Sequence, residues 1–191
     1  MIWYADLLFG FLLGFSLTIP PGPMNAFIAT QTMVRGMGAG VITGTGAMTA
    51  DLVLGTVIFA ARTVLDLHSY IRAVYVIGSV VLIMLAYSSI RGTSSMSPPQ
   101  AGSRTYYRAL LLGITNPFQI LWWLTAGLAF AYIGGIILLA GLFAAIAVWI
   151  VLFPVVLHTG TRRHPEVRRG ITLASSILMV LFAGYFIYLA L

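Results

Sequence analysis

The chain has no cysteine and no lysine, and only four of its 191 residues are acidic. Without cysteine there is no disulfide, no thiolate zinc site, no iron–sulfur cluster and no thiol–disulfide relay. Charged residues make up 7% of the chain, against about a quarter in a soluble domain. Hydrophobic residues make up 60%, and the mean hydropathy is +1.02. A soluble globule of this composition would expose more apolar surface than one core can bury. Soluble enzymes and nucleic-acid-binding modules are therefore not expected, despite a pI near 10.1. The +6 charge comes from scattered arginines, a pattern that suits loop anchoring and not a basic binding face. Also missing are a metal-ligand cluster, a nucleophile–base pair and a phosphate loop, so neither an enzyme nor a cofactor is expected. What remains is an all-α integral membrane protein whose large partner is the lipid bilayer.

Charges punctuate the apolar runs. Residues 7–34, 73–90, 109–161 and 170–191 carry none, and 36–61 carry only Asp51. A span needs about 20 apolar residues, and the long run after Arg108 divides at Gly134-Gly135, where a tight turn can sit. Six transmembrane helices follow, near 3–35, 40–61, 71–90, 107–132, 136–157 and 171–191. The first is no secretory signal, since it has no basic start and too long an apolar run.

Arginine sets the orientation. With six spans, one side holds Arg62 and Arg72, and the other holds the remaining eight arginines. The positive-inside rule places those eight in the cytoplasm and both termini outside, in the cell (inner or plasma) membrane. Trp3 and Tyr4 then mark the outer interface, and Tyr106 and Tyr107 the inner one. The polar segment 91–104, rich in Ser, Pro and Gly, is a cytoplasmic linker between residues 1–90 and 105–191. Each part has three spans. Three is odd, so two related parts insert with opposite orientation, giving a 3+3 inverted repeat.

Two spans are interrupted. Span 1 contains Pro20-Pro21-Gly22-Pro23-Met24-Asn25, and no continuous helix holds three such prolines. It should stop near Thr18 and restart at Pro23, a favoured first helical residue. Span 4 repeats the device at Asn116-Pro117, with Asn116 as cap and Pro117 as first residue. Both breaks lie near the midpoint of their spans. Broken helices 1 and 4 would thus bring two half-helix N-termini together at mid-membrane, each with unpaired N–H groups and partial positive charge. Lipid cannot satisfy such backbone, so the breaks should line protein or a wet cavity suited to a carboxylate. Proline kinks that only shape the bundle are the structural alternative.

Asp51 lies at the midpoint of span 2. An acid there costs about 2.5–3.5 kcal/mol on insertion scales, so a task is expected of it. Gly44, Ala47 and Gly55 share its helix face, the face that packs on other helices. Its functional reading is proton coupling or contact with a substrate ammonium; its structural reading is a hydrogen-bonded acid. Asn25, Asn116 and Gln119 could bind substrate, although helix capping accounts for the two asparagines equally well. Trp122-Trp123 read more readily as packing than as a substrate wall. The repeats Gly10-x3-Gly14 and Gly36-x3-Gly40-x3-Gly44 permit close helix contacts; they are compatible with a homodimer without requiring one.

These residues resemble the LysE/RhtB superfamily of amino-acid exporters. The resemblance rests on Pro21-Gly22-Pro23-Met24-Asn25 ending the uncharged first half-span, on the glycine-rich second span ending in Asp51, on the Ser/Pro linker and on Asn116-Pro117. It covers nearly the whole chain. It implies secondary active efflux of amino acids or close derivatives, driven by protons through antiport, with alternating access around a midplane site. The candidate substrate-binding residues at the two breaks are Pro21, Gly22, Pro23, Met24, Asn25, Asn116, Pro117 and Gln119, with Asp51 meeting a proton or an ammonium. Span 5 has no acid, and the motif residues do not choose among basic, neutral and hydroxylated amino acids. Two other readings stand beside it: a metal or cation exporter of a related branch, and a non-transporting membrane scaffold.

Overall fold

The computed structural model describes residues 3–19, 22–61, 71–92, 102–124, 128–161 and 165–191. Every regular element among them is a helix: α1 (Trp3–Thr18), α2 (Pro23–Arg35), α3 (Met37–Ala61), α4 (Ile71–Gly92), α5 (Ser103–Thr115), α6 (Pro117–Trp122), α7 (Leu128–Thr161) and α8 (Pro165–Ala190). Pro20, Pro21, Arg62, most of the 91–104 linker and Arg162-Arg163 lie outside the described residues.

The breaks fall where proline and glycine demand them. The first helix stops at Thr18, and the second opens on Pro23 at an angle of 75° to it. The second break separates α5 from α6 at Asn116, whose backbone is extended (φ −78°, ψ 110°). Inside α7 a third break falls at Gly135 (φ 56°, ψ −147°), a conformation glycine reaches without a Cβ clash. It lies at the turn expected between spans 4 and 5.

By length and composition, three helices can cross a membrane: Met37–Ala60, Gly135–Thr161 and Arg169–Tyr188. The bent pair α1 and α2 makes a fourth if it counts as one broken span. The expected third span falls on α4, a helix of 22 residues. The expected fourth span is divided by the break at Asn116.

Packing follows the small residues. α1 lies along α7, α3 along α5, and α4 along α8. Gly10 and Gly14 face the backbone of Leu138 and Leu142, while Gly141 faces the backbone of Leu7 and Phe11. A Cβ at any of the three would strike the neighbouring main chain. The α3–α5 seam uses the same device, with Gly46 against the Tyr106 backbone and Gly113 against Ala50. Such seams let helices approach closely, so dispersion can hold them where lipid offers no hydrophobic drive.

The deepest element is α2. Residues Ala26 to Met33 are all buried, including Thr30, Gln31 and Thr32. The half-helix after the proline break therefore runs through the middle of the bundle, against α3, α7 and α8. Four hydroxyls of the interior return to their own helix: Thr32, Thr43, Thr49 and Ser176 each donate to the carbonyl four residues back. That satisfies them without water. Large apolar side chains such as Leu52, Val80, Met84, Leu152 and Leu181 point outward, as a lipid-facing surface requires.

Candidate functional site

The two breaks open onto one cavity of about 410 Å³, walled by α1, α2, α3, α6 and α7. This is within the 300–1,000 Å³ range typical of small-molecule sites. Gly22, Pro23, Met24 and Asn25 reach it from the first break, and Asn116 and Gln119 from the second. Asp51 reaches it from α3. Gly113 bridges the breaks: a Cβ placed on it would lie 3.4 Å from the Met24 methyl and 3.5 Å from the Gln119 amide nitrogen.

The two helix starts are finished differently. Asn116 caps α6 by accepting the Phe118 N–H at 3.2 Å. Gly22 precedes α2 in extended conformation, and no side chain caps that helix. Asn25 is not its cap. The Asn25 Nδ2 donates back across the break to the Thr18 carbonyl, and its Oδ1 accepts from Trp149 Nε1 at 3.1 Å. Of the two asparagines, only Asn116 therefore does the capping that could have explained both.

Asp51 is 6% exposed. Its Oδ1 accepts from Trp123 Nε1 at 2.9 Å, and the Gln119 amide is a second side-chain partner. A carboxylate removed from water needs such partners to stay in place. Asn25 and Gln119 are each the third residue of their half-helix. Each ties it to a helix from the other part of the chain, α2 to α7 through Trp149 and α6 to α3 through Asp51.

Of the residues the sequence singles out, seven share this wall: Gly22, Pro23, Met24, Asn25, Asp51, Asn116 and Gln119. Pro117 is buried as the first residue of α6 but does not line the cavity. Pro21 lies outside the described residues. The tryptophans pack as expected, in and against one buried apolar cluster, and do more. Trp122 lines the cavity, and Trp123 holds Asp51, so packing alone describes neither. Sequence reasoning missed α7 altogether: Ile146, Trp149 and Ile150 form one face of the cavity. Their spacing of three and four is a helical stripe, but within a span hydrophobic all round it carries no contrast.

A second cavity of about 400 Å³ lies between α3 and the start of α7, lined by Leu52, Gly55, Ile58, Leu139 and Phe143 among others. The Trp123 ring forms part of its wall, lies against Gly55, and stacks on Phe143 with centroids 6.2 Å apart. The indole thus stands between the second cavity and Asp51.

Apolar helices, a proline-broken span at the core and a buried carboxylate beside a molecule-sized cavity define a multi-pass membrane protein of the transporter class. The chain belongs to the LysE type translocator family, whose model matches residues 15–190. It is 27% identical over 194 aligned residues to "Putative amino acid efflux protein YcgF" of Bacillus subtilis (strain 168), covering 93% of this chain and 92% of that protein. No solved structure matches the chain.

Proposed function

We propose that this translocator exports amino acids or close derivatives, coupled to protons, from a site between its two helix breaks. The observation that carries the reading is the single cavity in which the uncapped start of α2 and the Asp51 carboxylate face the same space. A zwitterion has two charges to place. Its carboxylate is attracted to the N-terminal end of α2, where backbone N–H groups and the helix dipole favour an anion. Its ammonium, or a proton in exchange, goes to Asp51. The name of the B. subtilis relative, an amino acid efflux protein, points the same way.

The architecture proposed for this work is the 3+3 inverted repeat, 1–90 against 105–191 joined by the 91–104 linker. The packing supports it. Broken span 1 lies on α7 through glycine seams, and broken span 4 lies on α3 in the same manner. In the repeat α3 and α7 correspond, and α4 pairs with its own counterpart α8. Alternating access is then rocking of one part against the other around the cavity. The proposed orientation has both termini outside the cell membrane. It puts the second cavity on the outer side, because α3 runs outward from Arg35. Trp123 is the partition between site and exit.

Proton influx supplies about 2.3 kcal/mol per 100 mV for each charge moved. A carrier uses it only through a group that loads and unloads mid-membrane, and Asp51 has that depth. The metal-exporter reading has less support: a hard cation wants six or more oxygen ligands, and no group of three His, Asp or Glu occurs among the described residues. A scaffold has no use for a cavity at its centre with a buried carboxylate in its wall.

Purified protein in liposomes loaded with an amino-acid mixture provides the test. Imposing a pH gradient should drive efflux of at least one amino acid above protein-free vesicles. No movement of any amino acid, with or without the gradient, would overturn the reading.

A further inference from the structure

From the distribution of charge around the cavity, we infer that its substrates are neutral amino acids with apolar side chains, and neither basic nor acidic ones. The inference rests on the efflux reading above and deepens it. Asp51 is the single ionisable side chain among the described residues of the wall. A neutral zwitterion presents one ammonium, which Asp51 matches. A basic amino acid presents a second cation, which would be desolvated with no carboxylate opposite it. An acidic one brings a second anion, and no arginine among the described residues reaches the wall.

The wall also carries an apolar surface. Asn25, Asp51, Asn116 and Gln119 come from α2, α3, the second break and α6. Ile146 and Ile150 of α7 belong to a buried apolar cluster against which Leu17 and Trp122 pack, and all four line the cavity. Of the polar groups, Asp51 is engaged by Trp123 and Gln119, and Asn25 by Trp149 and Thr18. The Ser16 and Thr18 hydroxyls, which also line the cavity, donate to carbonyls of their own helix, so few side-chain donors are left for a substrate hydroxyl or amide. An aliphatic or aromatic side chain, by contrast, gains from leaving water for the α7 face.

Counterflow in proteoliposomes tests the specificity. Vesicles preloaded with leucine, phenylalanine, serine, lysine or glutamate are diluted into tracer of the same compound. Leucine and phenylalanine should support tracer accumulation, with lysine and glutamate near the protein-free level and serine well below leucine. Ile146→Ala should lower the leucine-to-serine preference by about tenfold or more, since a missing methylene in an apolar pocket is worth that much discrimination. Should that variant fail to fold, the wild-type panel decides alone. Lysine, glutamate or serine exceeding leucine would overturn the substrate class and leave efflux standing. No counterflow with any of the five, followed by none across the remaining amino acids, would overturn the efflux reading itself.

Discussion

A carboxylate in the middle of a membrane protein is kept there by its partners, and Asp51 has two that define it. Trp123 Nε1 donates to it at 2.9 Å, and Gln119 approaches from the same half-helix. Asparagine has the same shape and can still accept the indole N–H, so Asp51→Asn should keep the fold. It cannot carry a proton. Gradient-driven efflux should fall to the protein-free level, and exchange between substrate pools should fall with it because the substrate ammonium loses its counter-charge, as read by paired efflux and exchange assays at matched expression; exchange that persists would leave Asp51 the proton alone. Uphill efflux at the wild-type rate would leave Asp51 a structural acid. The cap at the second break is a separate matter. Removing the Asn116 oxygen in Asn116→Ala should cost about 0.5–2 kcal/mol, seen as a lowered unfolding midpoint in detergent, and Asn116→Ser should restore most of it.

Among the elements, the glycine seams and the Trp123 partition carry the testable consequences. Gly10 meets the Leu138 backbone, whereas a Cβ on Gly38 meets nothing within 4 Å. Gly10→Val should therefore separate α1 from α7 and destabilise by roughly 1–3 kcal/mol, the usual cost of overpacking. Gly38→Ala should be neutral or stabilising by up to about 1 kcal/mol, since glycine inside a helix costs that much relative to alanine. Thermal unfolding of both variants in one detergent gives the contrast. For the partition, the cysteine-free chain is a ready background. Ala47→Cys lies on the first cavity and Thr56→Cys on the second. An impermeant thiol reagent applied from outside should reach Thr56→Cys alone, and should reach Ala47→Cys once Trp123→Ala is added. Equal labelling of Ala47→Cys with and without Trp123 would remove the partition.

At the scale of the molecule the question is which way the bundle faces. Eight arginines on one proposed side and two on the other predict cytoplasmic linkers and external termini. Ser103 is exposed at the start of α5, and Leu191 is exposed at the end of the chain. In intact cells, Leu191→Cys should label with an impermeant reagent and Ser103→Cys should label only after the membrane is opened. The reverse pattern would invert the topology and place the second cavity on the cytoplasmic side.

Local backbone chemistry is written in the sequence, because proline and glycine act on their nearest neighbours. The stop at Thr18, the restart at Pro23, the break at Asn116 and the positive φ at Gly135 all follow from residues within a few positions of the event. The acid of span 2 was equally legible, since charge in an apolar run stands out whatever the fold. Partner choice was not. Nothing local tells Asn25 to bond Trp149, 124 residues away, or Asp51 to bond Trp123, 72 away. A span that is apolar on every side hides its inward face, so the cavity wall of Ile146, Trp149 and Ile150 had no signature before α7 was packed. Pro154 inside α7 was silent for the same reason: its ring is set against Gly40 of α3, and neither residue reveals the other alone. The sequence by itself determined where the helices break and where the charge lies, because those are properties of short segments. Only the tertiary structure decided which breaks share a cavity and what lines it, because helices in lipid choose partners by shape, and shape is a property of pairs.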